Sequence, residues 1–77
     1  MDSLARTDTV TATYAVKVSG FWHDPRTRSE SPHTETFLVA ARSPQAALLA
    51  GEQLFSRTAA EHRFRRSGRC HAVAEPG

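Results

Sequence analysis

The sequence predicts an α+β domain of two layers, β-β-α-β, in which a three-stranded sheet of spatial order 2-1-3 carries one helix packed on one face. Three observations lead there. Val10, Ala12, Tyr14, Val16, Val18, Gly20 and Trp22 recur with a period of two. A second alternating run, HTETFLVAAR, follows a polar break, and a helical period opens at Ser43-Pro44. The chain has 77 residues, 39% of them hydrophobic, which suits one small domain, expected over 10–75 behind a flexible tail over 1–9. A chain this short buries only roughly 60% of its extended surface on folding, so its core is thin and a partner or self-association would strengthen it.

In the first strand the alternates of the apolar set are Thr11, Thr13, Ala15, Lys17, Ser19 and Phe21. Such a mixture marks a face that meets water or a partner, not a second packed layer. The stretch HDPRTRSESP, with two prolines and no core anchor, predicts a mobile hairpin loop over 23–32. Strand two then places Phe37, Val39 and Ala41 on the core side and Thr34, Thr36, Leu38 and Ala40 on the other, antiparallel to strand one.

Ser43 is a good N-cap, and Pro44 at the first helical position gives up only an N–H that would be unpaired anyway. At 100° per residue, Ala47, Ala50, Gly51, Leu54, Phe55 and Thr58 share one face, a stripe of mostly small residues that lets a helix lie close on a sheet. A helix running on without a break turns Phe64 toward solvent. Thr58-Ala-Ala-Glu61 has the spacing of a capping box, so a kink near 57–59 offers one way to restore the phase. Gly68 is the expected left-handed C′ residue, with Arg65 and Arg66 beside the negative end of the helix dipole. RCHAVA reads as strand three, and a right-handed crossover places it beside strand one.

YAVKVSG followed by FLVAARSPQAALLAGEQLF resembles, in outline, small β-β-α-β modules, including some two-layer ribosomal-protein domains. The resemblance implies shape alone and assigns no residue a role.

The formal charge is +2 with a pI near 9.3, and its placement matters more than its sum. Charges over 1–42 cancel, whereas 57–71 carries Arg57, Arg63, Arg65, Arg66 and Arg69 against Glu61 alone. Four of these arginines, two histidines and the single cysteine fall within AEHRFRRSGRCHAV. Guanidinium groups so spaced suit consecutive phosphates, and Lys17, Phe21 and His71 on the uncovered sheet face add a charge and stacking surfaces. The expected function is therefore a non-enzymatic binding or regulatory module that contacts DNA or RNA through an arginine-rich helix C-terminus. The rival reading is a protein-interaction or homodimerisation module that uses a sheet edge or the open face, with Phe21, Leu38 and Val73 as its apolar contacts; Leu49 and Ala60 on the outer helix side would make a second, smaller patch.

Other chemistries find little support. His23, Asp24, His33, His62, Cys70 and His71 are the available metal-ligand types, but no close pair such as CxxC or HxxxH is present, and adjacent strand residues Cys70 and His71 point to opposite faces. Neither a nucleophile elbow nor a glycine-rich phosphate loop occurs, and Asp24 beside Pro25 fits turn formation, so no enzyme, cofactor or metal is expected. One cysteine with no signal-like apolar run predicts a cytoplasmic protein, and no stretch approaches a membrane span.

Overall fold

The computed structural model of the chain describes residues 11–77. The expected tail over 1–9, and Val10 as the first strand residue, lie outside them. Strand β1 runs Ala12–Asp24, β2 Ser29–Ala41 and β3 Arg65–Pro76, with helix α1 over Pro44–Glu61 between β2 and β3. The sheet order is β2-β1-β3, both neighbours antiparallel to β1, the order expected from the sequence.

β1 takes the middle because its even-numbered side chains are the most consistently apolar. Val16 and Val18 are fully enclosed and Trp22 nearly so, while Lys17 and Phe21 between them are exposed. The remaining buried core is Val39 and Ala41 from β2 and Ala47, Phe55 and Ala59 from α1. Each of the larger apolar side chains gains ~1.5–3 kcal/mol from this burial. Around them Tyr14, Phe37, Leu54, Phe64 and Cys70 are half-buried, which places Cys70 under the helix.

The helix begins as its residues dictate. Ser43 has extended backbone, and its hydroxyl accepts from the Ala46 N–H at 3.2 Å, with Pro44 in the first turn. What lets it lie so near the sheet is Gly51. A Cβ there would stand 2.4 Å from Val16 Cγ1, closer than any side chain tolerates. Gly20 plays the matching part in β1, since a Cβ at 20 would meet the Phe55 ring at 3.1 Å and Cys70 Cβ at 3.0 Å.

Two local expectations are corrected, and one open alternative is decided. The predicted loop over 23–32 shrinks to Pro25–Arg28, because the ladder continues outward through Phe21↔Pro32, Trp22↔Ser31 and His23↔Glu30. The turn closes with Arg28 N–H donating to the Asp24 carbonyl at 2.7 Å and Arg28 at φ 60°, while Asp24 Oδ1 accepts from Arg26 N–H at 2.9 Å. That backbone N–H and the neighbouring guanidinium hold the Asp24 carboxyl below its usual pKa. Pro32 costs the sheet nothing, as hydrogen-bond direction shows. Gly77 N–H donates to Thr13 O at 2.9 Å, so odd-numbered β1 residues bond toward β3 and even-numbered ones toward β2. Pro32 pairs with the odd residue Phe21, and its nitrogen faces the free edge, where a missing N–H is tolerated.

The kink near 57–59, which the sequence left open, does not form. The helix is continuous through Glu61, and Thr58 Oγ1 donates back to the Leu54 carbonyl at 2.8 Å instead of capping a new helix. The second correction is the helix end, which falls before Phe64 and not at Gly68. Arg63 takes the left-handed conformation at φ 64°, its N–H donates to Ala60 O at 2.9 Å, and Phe64 N–H donates to Ala59 O at 2.8 Å. This is a Schellman ending with Arg63 at C′, and Phe64 folds back over the last turn to reach the core. Apolar burial of Phe64 decides the stop, outweighing the cost of an arginine at positive φ.

Arg63→Gly tests this ending by sign. Relief of the left-handed arginine should raise the unfolding free energy by about 0.5–1 kcal/mol in chemical denaturation. In a helix running on to Gly68 the same change would lower it by about as much.

Candidate functional site

α1 covers one face of the sheet and leaves the other bare. Side chains on the bare face come from alternate residues of each strand: Ala15, Lys17, Ser19, Phe21 and His23 on β1, Glu30, Pro32, Thr34, Thr36, Leu38 and Ala40 on β2, and Arg65, Ser67, His71, Val73 and Glu75 on β3. Among the described residues, three of the four large apolar side chains that stay exposed lie here, Phe21 at 49%, Leu38 at 74% and Val73 at 42%; the fourth, Leu49, is on the helix. Phe21, Leu38, Val73 and Lys17 thus share one surface, as the periodicity predicted.

That surface has two halves. Toward the start of β1, Ala15 pairs with Leu38 and Lys17 with Val73, and Ala15, Lys17, Thr36, Val73 and Glu75 enclose a shallow hollow of about 310 Å³. Toward the hairpin the face is aromatic and basic. Phe21, Pro32, Thr34, Arg69 and His71 surround a second hollow of about 350 Å³ above Gly20 and Cys70. A β-bulge makes it. Between Ser19↔His71 and Phe21↔Ser67, β3 spends two more residues than β1, and Gly68 at φ 70° supplies the turn of backbone that the extra length requires. Around the rim, Thr34 Oγ1 donates to Ser19 Oγ at 3.2 Å, and Ser67 Oγ donates to Glu30 Oε2 at 2.7 Å, reaching across β1.

The arginines do not gather at a helix C-terminus. No basic residue stands in the last turn of α1, and Arg65, Arg66 and Arg69 belong to β3, since the chain has already turned at Arg63. Arg65 pairs with His23 on the bare face, and Arg69 lines the hollow beside Phe21. Arg66 pairs with Trp22 on the helix side, where its Nη1 donates to Cys70 Sγ at 3.4 Å and it borders a groove with Leu49, Glu52, Gln53 and Ser56. Arg57 lies exposed on α1 and Arg63 at the corner after it. Strand alternation therefore divides the cluster, bringing Lys17, Arg65 and Arg69 to Phe21's face and leaving Arg57, Arg63 and Arg66 elsewhere.

Histidines are divided in the same way. His33 stacks on Trp22 with ring centroids 3.9 Å apart and 14° between planes, and His62 lies 6.0 Å from the same ring, whereas His71 is on the opposite face. Among the described residues no three His, Cys, Asp or Glu side chains converge as a ligand set. None of the helices described is long and apolar enough to cross a membrane.

No family model matches the chain, and neither a curated protein nor a solved structure is significantly similar to it.

The bulge was the part of the site that sequence reasoning missed. Its signal is Gly68 inside an otherwise extended stretch, which fits a bulge as well as it fits a helix cap. Gly68→Ala should lower stability by about 1 kcal/mol, because a Cβ there meets no neighbour within 4 Å and only the positive φ opposes it. Amide shifts of Arg69, Cys70 and His71 should move while those of Ala72–Ala74 stay in place.

Proposed function

We propose that the protein is a non-enzymatic cytoplasmic binding module that holds single-stranded nucleic acid, DNA or RNA, on the bare sheet face around Phe21. One observation carries this reading: the half-exposed Phe21 ring stands beside Arg69 and His71 at a hollow, with Lys17 and Arg65 on the same face. An aromatic ring standing on a sheet stacks any base, contributing about 1–3 kcal/mol, and flanking cations meet the phosphates on either side without reading sequence. Duplex binding is less suited to this surface, since the described helix carries a single cation, Arg57, and so no row of cations for a groove. Relative to the sequence reading, the patch moves from the helix end to the strand face, and Arg57, Arg63 and Arg66 pass from contacts to bystanders.

A second reading has its own observation. Leu38 is 74% exposed opposite Ala15, on a half-face that also carries Ala40 and Val73 and suits a protein partner.

Fluorescence anisotropy with a labelled 12-nucleotide oligo-dT and oligo-U at about 50 mM salt tests the first. Binding should weaken about tenfold in Phe21→Ala. Each of Arg65→Gln and Arg69→Gln should flatten the dependence of log K on log salt by about 0.7, and Arg57→Gln should leave it unchanged. Absence of binding at low salt, or indifference to Phe21→Ala, overturns the reading.

A further inference from the structure

Whatever the bare face binds, the free edge of β2 has a geometry of its own. Hydrogen-bond direction in β1 fixes which β2 groups point outward: Val39, Phe37, Glu35 and His33 oppose even-numbered β1 residues and bond inward, whereas Thr34, Thr36, Leu38 and Ala40 present their N–H and C=O to the edge. Among the described residues no chain pairs with that edge. The run 34–40 is free of proline and glycine, and Pro32 closes it at one end. The other edge of the sheet is guarded. β3 is interrupted by the bulge at Gly68 and Arg69 and ends at Pro76.

We infer that a second copy of this chain pairs antiparallel along this edge, across a two-fold axis at Phe37, to give one six-stranded sheet. The register is chosen by the residues themselves. With Phe37 opposite its own copy, Thr36 faces Leu38 of the other chain and Thr34 faces Ala40, so all four outward positions on each chain are used, with about eight backbone hydrogen bonds. Glu35 then faces Val39. Moving the axis to Thr36 sets Pro32, which has no N–H, against Ala40, and moving it to Glu35 sets like charges opposite one another. In the favoured register the two Leu38 side chains become diagonal neighbours on the bare face, covering groups that are 74% exposed in the single chain, and the half-buried Phe37 rings meet on the helix side. A self-matching strand accounts for a second copy as occupant, since a two-fold axis satisfies both edges at once.

Sedimentation velocity of the full chain from about 10 μM to 1 mM, together with amide exchange by NMR over the same range, tests this. The expected result is a dimer in which the amides of Thr34, Thr36, Leu38 and Ala40 gain protection as concentration rises, while those of Glu35, Phe37 and Val39 are protected throughout. Thr36→Pro removes an outward N–H and no hydrogen bond within the sheet, and should weaken association at least tenfold with the circular dichroism spectrum retained. Should that variant fail to fold, exchange in the unaltered chain decides. A monomer at 1 mM, a dimer whose four outward amides exchange freely, protection of those amides without association, or a folded Thr36→Pro that dimerises as before would each overturn the inference.

Discussion

The structure depends on the approach of Gly51 to Val16. A Cβ at 51 would lie 2.4 Å from Val16 Cγ1, well inside van der Waals contact distance, so glycine alone allows the helix to settle at its present depth over the middle of β1. Val16 and Val18 are closed from solvent by that contact, and Phe55, one helical turn on, reaches down over Gly20. Glycine is a poor helix former, costing about 1 kcal/mol relative to alanine in an open helix. The sequence keeps it in the middle of α1 because a small core has few other ways to enclose its central strand.

Functional consequences follow from the same contact. One helix covers one face, and the chain has no second layer among its described residues to cover the other. Hence Lys17, Phe21, Leu38 and Val73 are exposed by construction rather than by accident of a loop. The bulge in β3 then gives this face its relief. By spending two extra residues opposite Gly20, β3 carries Arg69 and His71 to the rim of a hollow beside Phe21 that a regular ladder would flatten. Trp22 anchors the hairpin end from the opposite side, stacked by His33 and flanked by Phe55 and Phe64, although its Nε1 is buried with no hydrogen-bond partner among the described residues.

Much of this was readable from residue order. The period of two in β1 and β2, with Ser43-Pro44 after them, sets the faces, the start of the helix and the strand order, because each is written in local spacing. What could not be read depends on distant partners. Strand length at the hairpin is settled by pairing of Trp22 and His23 with Ser31 and Glu30, residues whose own propensities suggest a loop. Phe64 was correctly out of phase with α1. Whether a kink or an early stop would correct it rests on the Schellman bonds to Ala59 and Ala60, which the left-handed Arg63 makes possible. Misplacing that stop by a few residues put Arg65, Arg66 and Arg69 on a helix, and so gathered into one patch side chains that a strand separates.

The most direct test of the helix–sheet contact is the unfolding free energy of Gly51→Ala, measured by urea denaturation. Close packing on Val16 predicts a loss of about 1–3 kcal/mol, since the added methyl must displace either the valine or the helix. A helix held at a looser distance would gain about 0.5–1 kcal/mol from the same substitution, and that gain would contradict the account.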